Sequence, residues 1–503
     1  MNRLLLSILL SVFLSTPVAA AEQSMTFARF GTITLYGDTD RFTSVALFVS
    51  GDGGWNKGVI DMARSLAGMQ ALVVGIDIRH YLAELAKGKE KCSYPAADFE
   101  AVSKYVQKRL GKKSYLAPVL VGYSSGATLV YATLAQAPPG TFLGAISMGF
   151  CPDLPIDKPF CTGYGLQSAR RQDDKGYDFL PSTSLKAPWV AFQGDQDQVC
   201  DAKAVQAFVG KVDGGRLVLL PKVGHGFAVQ KNWLPQFRKQ YADLSDHPDQ
   251  AETNQGKTLP AAQSPSPPAS PGQPVIDSPA AANDSLDDLP LVELPGAEGN
   301  QLLAVIITGD GGWAAIDRSI GETLAEQGIG VVGLNSLKYF WNVKTPEQSA
   351  KDLQRIIDHY LTVWRKSRVL LIGYSQGADV MPFMVSRLSR QAQDTVVGIA
   401  LLGLAKEATF EVSVSGWLGG SGSSPVAIAP EIGKLARFKI LCIYGREEDD
   451  TFCRDARRPI PLWQSIEMSG GHHFDNDFVK LTKLIMAHLQ IATSNTSNRG
   501  TPY

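Results

Sequence analysis

The sequence predicts a doubly wound α/β fold, built twice in one chain. Short continuous apolar runs alternate with helical patterns, and four landmark motifs recur as pairs in the same order. A stretch rich in Pro, Ala and Ser separates the two sets. Unbroken apolar strands divided by helices belong to parallel sheets covered on both faces. Paired landmarks at nearly constant offsets indicate an internal duplication.

The chain has 503 residues, room for two to four domains at about 100–200 residues each. Residues 1–21 combine Arg3, an apolar core over Leu4–Leu14 and small residues up to Ala21, the layout of a cleaved secretory signal. That core is shorter than the roughly 18 residues of a membrane span, and no later stretch supplies them. An exported chain in an oxidising compartment is expected, and the six cysteines fit it. Cys442 and Cys453 lie in the second half and have one intradomain pairing. Cys92, Cys151, Cys161 and Cys200 lie in the first and allow three connectivities. No Cys-x-x-Cys or paired histidine spacing accompanies them, so neither a metal nor another cofactor is expected. The formal net charge of −1 disfavours nucleic acid as a partner.

In the first half, Val45–Val49, Leu72–Ile76, Pro118–Val121, Gly144–Met148, Trp189–Gln193 and Leu217–Leu220 read as buried strands. In the second, Leu302–Thr308, Gly330–Leu334, Val369–Ile372, Val397–Leu402 and Lys439–Tyr444 do. Ala315–Gln327, Thr345–Trp364 and Phe478–Leu489 carry helical periodicity. Residues 22–244 and 286–492 are therefore the two domains. Residues 245–285, dominated by Pro260–Ala282, bury too little apolar surface to offset ordering entropy and read as a linker. Residues 493–503 read as a tail.

The landmarks carry the chemistry. Gly122-Tyr-Ser124-Ser-Gly126 and Gly373-Tyr-Ser375-Gln-Gly377 each join a strand to a helix. That is a nucleophile elbow, with glycines where a side chain would strike the doubling chain. The pattern alone is common; its position and its second copy give it weight. Serine needs a base, a group to orient the base, and donors for a developing oxyanion. In α/β-hydrolases the acid and then the histidine follow the serine, which makes two tandem α/β-hydrolase domains the expected architecture. Gly194-Asp-Gln-Asp197 answers to Gly445-Arg-Glu-Glu448, and Gly224-His225-Gly-Phe227 to Gly471-His472-His473-Phe474. Ser375 is thus the candidate nucleophile and His472 the candidate base. Glu448 is favoured as the acid, with Asp450 as the alternative, and His473 reads as a local polar residue. The oxyanion donors are expected from the N–H of Gln376 and from Gly311 and Gly312 in Thr308-Gly-Asp-Gly-Gly-Trp313. The first copy repeats the set as Ser124, Asp197 and His225, with Ser125 and Gly53 of Ser50-Gly-Asp-Gly-Gly-Trp55 as donors.

These motifs in combination resemble the VirJ and AcvB family of bacterial virulence proteins. The single-domain VirJ pattern matches about Leu286–Gln490, and the signal, diverged first copy and linker together resemble the AcvB arrangement. The resemblance implies a periplasmic serine hydrolase at the membrane surface. It would cleave the aminoacyl ester of lysyl-phosphatidylglycerol to phosphatidylglycerol and lysine, with links to virulence and to type IV secretion components. By motif it carries the nucleophile to Ser375, the base to His472 and the acid to the segment Glu448–Asp450. The family pattern is stated for the second domain, so an intact set in the first is a departure. Acids at Glu447–Asp450, Asp475 and Asp477 suit an ammonium-bearing substrate, and Gly416-Trp417-Leu418-Gly419-Gly420 reads as an apolar lip or an ordinary loop. A generic periplasmic esterase and an adaptor for secretion machinery are the competing readings.

Overall fold

The computed structural model describes residues 22–88, 91–246, 285–313, 315–412, 424–455 and 460–490. The expected signal, most of the expected linker, the tail and the Gly416–Gly420 segment lie outside the described residues.

The first domain is organised on eight strands: β1 (Gln23–Phe27), β2 (Gly31–Tyr36), β3 (Ser44–Val49), β4 (Ala71–Ile76), β5 (Val119–Tyr123), β6 (Gly144–Met148), β7 (Trp189–Gly194) and β8 (Gly215–Leu220). Their order across the sheet is β1-β2-β4-β3-β5-β6-β7-β8. β1 and β2 run antiparallel at one edge, and every pair from β4 onward is parallel. The second domain uses β9 (Leu291–Leu294), β10 (Leu302–Ile307), β11 (Gly330–Leu334), β12 (Arg368–Tyr374), β13 (Val396–Leu402), β14 (Ile440–Gly445) and β15 (Trp463–Met468). Its order is β9-β11-β10-β12-β13-β14-β15, the first order without β1. Both sheets have the α/β-hydrolase order, so the duplication extends to topology.

All six residues of β3 and of β10 are buried, because helices cover both sheet faces. Each sheet accordingly carries two separate apolar clusters, one per face. Edge strands β1, β9 and β15, and β2 beside β1, go unread in the sequence. β15 is half-buried or exposed at every position along Trp463–Glu467, so no continuous apolar run marks it.

Three helices position the chemistry: α1 (Pro95–Arg109), α2 (Ser125–Gln136) and α3 (Gln376–Val385). α1 starts on Pro95, whose missing N–H costs nothing at a helix start, and the Ala96 N–H donates to Gln136 Oε1 at 3.0 Å. The domains meet along α1 and the loop that follows it. The Trp341 indole N–H donates to the Lys112 carbonyl at 2.7 Å, and its ring packs 5.3 Å from that of Tyr115.

The cysteines pair as Cys92–Cys161, Cys151–Cys200 and Cys442–Cys453. The second-domain bridge is the single option expected, and the structure selects one of the three connectivities of the first domain. Among the described residues, no helix is long and apolar enough to cross a membrane.

Candidate active site

Each candidate serine sits where its central strand turns into the next helix. Ser124 follows β5 with φ 55° and ψ −124°, and Ser375 follows β12 with φ 52° and ψ −121°. A non-glycine residue with positive φ is strained, and the surrounding packing over-determines it. The flanking glycines show how. A Cβ on Gly122 would lie 2.1 Å from the Gly126 carbonyl oxygen, and one on Gly377 2.0 Å from that of Ile307. Helix and strand approach so closely that only hydrogen fits.

In the first copy the relay is complete. His225 Nε2 lies 3.0 Å from Ser124 Oγ, and His225 Nδ1 lies 2.8 Å from Asp197 Oδ2. Asp197 is fixed in turn. Its Oδ1 accepts the N–H groups of Val199 at 2.8 Å and Cys200 at 3.0 Å, while Gln193 Nε2 donates to Oδ2 at 2.8 Å. A cleft of about 350 Å³ opens over Ser124, between Gly51–Gly54 and the side chains of Val59 and Met62. Asp197, Cys200 and His225 cluster like metal ligands, but the Cys200 sulfur is bound in the disulfide and the imidazole is engaged on both sides.

In the second copy His472 Nδ1 is hydrogen-bonded to Glu448 Oε1, and Glu448 Oε2 accepts the Gly445 N–H at 2.6 Å. Among the described residues no hydrogen bond joins Ser375 to His472, so the relay is assembled on its acid side and open on its serine side. The structure chooses between the two acids. Asp450 turns outward to Lys406 Nζ at 2.7 Å with its side chain 82% exposed, so it is not the partner of His472. Burial works against the Glu448 charge, yet the bonds from His472 and the Gly445 N–H outweigh it and hold the carboxyl below its usual range. Burial likewise pulls His472 down, but Glu448, Asp379 and Asp310 outweigh it and raise the imidazole.

His473 is a supporting group, as its reading as a local polar residue expects. Its Nδ1 lies 3.0 Å from Tyr374 Oη, and that hydroxyl also lies 3.2 Å from the His472 carbonyl. Tyr123 does the same in the first copy, donating to the His225 carbonyl at 3.1 Å. The tyrosine before each candidate serine thus anchors the histidine loop.

The oxyanion donors need one correction. Ser125 and Gln376 open α2 and α3, and the first amides of a helix have no intrahelical acceptor. The Gly312 N–H, by contrast, donates to the Gly309 carbonyl at 3.0 Å, as the Gly54 N–H does to Gly51 at 2.8 Å. Closing the loop's own turn removes Gly312 as a donor. Gly311 and Gly53 keep N–H groups that no acceptor takes among the described residues. The loops do reach the serines: a Cβ on Gly51 would lie 2.9 Å from Ser124 Cβ, and one on Gly309 3.4 Å from Ser375 Cβ.

Two features were missed in the sequence. Gly149 and Gly403, directly after β6 and β13, have φ +65° and +64°. A Cβ on Gly403 would lie 2.6 Å from His472 Cε1, and one on Gly149 3.1 Å from His225 Cε1. These glycines are the floor on which each imidazole lies. The second is Asp379, one turn after Ser375, whose Oδ1 accepts the Ala405 N–H at 2.8 Å. Burial pushes its carboxyl up to about 7, against the pull of that N–H and of His472. The first copy has Thr128 there, donating to the Cys151 carbonyl. A polar difference between aligned helix turns was the available signal.

Residues 43–142 and 301–493, more than half of the chain, match the family model described as bacterial virulence protein (VirJ). No curated protein matches. Among solved structures, the chain is similar to an α/β serine hydrolase without a lid from Xanthomonas campestris, at 20% identity, 49% of this chain, 99% of that one and TM-score 0.28. It is also similar to the esterase domain of a Rhodothermus marinus protein, at 15% identity, 44% of this chain, 98% of that one and TM-score 0.31. A third, described as a putative dienelactone hydrolase from Klebsiella pneumoniae, shares 14% identity over 45% of this chain and 98% of its own, with TM-score 0.33.

Proposed function

Because the chain belongs to the VirJ family of bacterial virulence proteins, we propose that it is an exported serine esterase that cleaves the aminoacyl ester of a phospholipid, lysyl-phosphatidylglycerol. The observation that carries the esterase reading is the continuous Ser124–His225–Asp197 relay, with its histidine–acid half repeated at His472 and Glu448. The serine oxygen attacks the ester carbonyl while the imidazole takes its proton. The oxyanion is met by the helix-start amide and the loop amide, at Ser125 and Gly53 or at Gln376 and Gly311. The imidazolium then protonates the departing glycerol oxygen, and water, deprotonated by the same histidine, releases the amino acid. The acid stays ionised throughout and steadies the imidazolium.

The lysyl substrate rests on family membership and on charge. Glu448, whose carboxyl is held below its usual range, Asp310 and Asp379 all lie near His472, and such acidic surroundings suit an ammonium-bearing acyl group. The disulfides suit the periplasm.

The test is lysine release from lysyl-phosphatidylglycerol vesicles by the wild type, Ser124→Ala, Ser375→Ala and the double variant. The wild type should release lysine, and the double variant should lose about 10⁴-fold or more of the rate. Comparing the single variants apportions turnover between the sites. No release by the wild type rejects this substrate, and full activity in the double variant rejects the serine mechanism.

A further inference from the structure

One face of the first domain lies against the walls of the second site. α1 presents Lys104 and Lys108, four residues apart and so on the same side of the helix. Lys104 is 7% exposed, yet its Nζ donates to the Asp310 carbonyl at 3.1 Å and pairs with Glu100 at 3.0 Å. Asp310 belongs to the loop that supplies Gly311, and a Cβ on Gly311 would lie 4.0 Å from Glu100 Oε1. Lys108 Nζ reaches Glu411 Oε1 at 2.9 Å and also the Trp341 carbonyl. The Glu411 carbonyl accepts Gln376 Nε2 at 3.0 Å, directly beside the nucleophile. Two lysines of one domain thus grip the two segments flanking Ser375 in the other.

A buried ammonium is costly unless it is paired. Burial pulls Lys104 down, but Glu100 and Asp310 outweigh it, so the group stays charged. The peptide unit explains what such a donor does. The Asp310 carbonyl and the Gly311 N–H share one plane and point in opposite directions. Fastening the carbonyl to Lys104 therefore fixes where the Gly311 N–H points. Without that bond the peptide is free to rotate, and the donor is not preorganised. Among the described residues, no hydrogen bond from the second domain reaches Gly51–Trp55 of the first.

We propose that α1 of the first domain is a working wall of the second site, with Lys104 as the positioning residue that aims the Gly311 amide at the oxyanion of Ser375. The proposal rests on the serine-esterase reading and adds that the second site is composite. The first copy serves as scaffold for the second as well as carrying a site of its own.

The test uses a fluorophosphonate, which phosphonylates an activated serine: the Oγ–P bond forms, the P–F bond breaks, fluoride leaves and the serine proton passes to the histidine. Rates at Ser124 and Ser375 are read separately, by mass spectrometry of the two active-site peptides from the full-length chain. Lys104→Ala should slow Ser375 labelling about tenfold or more and leave Ser124 unchanged. Lys104→Arg, which keeps a charged donor, should recover most of the rate. With ester substrate, the Ser124→Ala background should show the Lys104→Ala loss in kcat more than in KM. Ser375 labelling equal to or faster than wild type in Lys104→Ala overturns the proposal while leaving the esterase reading intact. Equal loss in Lys104→Ala and Lys104→Arg, or slowing at both serines, also overturns it, since that marks general disruption. No labelling of either serine in the wild type overturns the esterase reading and the proposal with it.

Discussion

A histidine takes a proton from serine only while neutral, and the carboxylates around His472 make neutrality harder to reach. Glu448, Asp379 and Asp310 outweigh burial and raise the imidazole above its usual value of 6.5. The sign follows directly. Ser375 reactivity should rise with pH along a limb whose midpoint lies above 6.5, because below it the imidazole is protonated. Glu448→Gln removes the largest opposing charge, so that midpoint should move down while the plateau rate falls. A pH profile of Ser375 labelling, run in both forms, checks this, and an unmoved midpoint would refute the assignment of Glu448. The same shift enters stability. The Glu448–His472 bond contributes fully between the ordinary carboxylate and histidine ranges; the contribution is lost as pH rises through the raised histidine value and as pH falls through the lowered carboxyl value. At this scale much was legible. Ser124, Asp197, His225, Ser375 and His472 are marked by local motifs, and Glu448 by its alignment with Asp197. Gly149 and Gly403 were not, because the atoms that forbid a side chain there belong to histidines distant in sequence.

The elbow is the element on which both sites depend, and its tolerance is set by distance. A Cβ on Gly377 would lie 2.0 Å from the Ile307 carbonyl oxygen and 2.6 Å from that of Thr308. Neither atom belongs to a flexible side chain that can swing aside, so α3 has to move off β10. Gly377→Ala should therefore cost about 1–3 kcal/mol and reduce Ser375 labelling with it. Urea unfolding of the variant against wild type measures the first effect, and an unchanged midpoint would contradict the packing. Central strands such as β3 and β10 were legible because burial on both faces leaves an unbroken apolar run. Edge strands were not: Leu291–Leu294 is half-buried or exposed at every position.

At the scale of the whole molecule the two domains are joined by a packed aromatic contact. Trp341, 2% exposed, is held by the Lys112 carbonyl and by Tyr115, and Lys108 lies 4.9 Å from its ring. Trp341→Ala should release this contact. With a protease site engineered between residues 246 and 285, the cleaved wild-type halves should co-elute in gel filtration. Those of the variant should separate. Co-elution of the cleaved variant would show that the Trp341 contact is not what couples the halves. None of this interface could be read in the sequence. Lys104 and Lys108 look like the solvated face of an amphipathic helix, and one tryptophan gives no sign of which surface it meets.

Cys200 stands at a junction that gives the Cys151–Cys200 bridge a meaning in time. Its amide N–H holds Asp197, and its sulfur is tied to Cys151 behind β6. The turn that presents the acid to His225 is thus secured by a bond that a reducing cytoplasm does not sustain. Before thiol oxidation the turn lacks this tie, and Asp197 is held by the hydrogen bonds from Gln193, Val199 and Cys200 alone. For an exported chain, as proposed above, the order of events follows from chemistry: the bridge beside the acid closes only once the chain has reached an oxidising compartment.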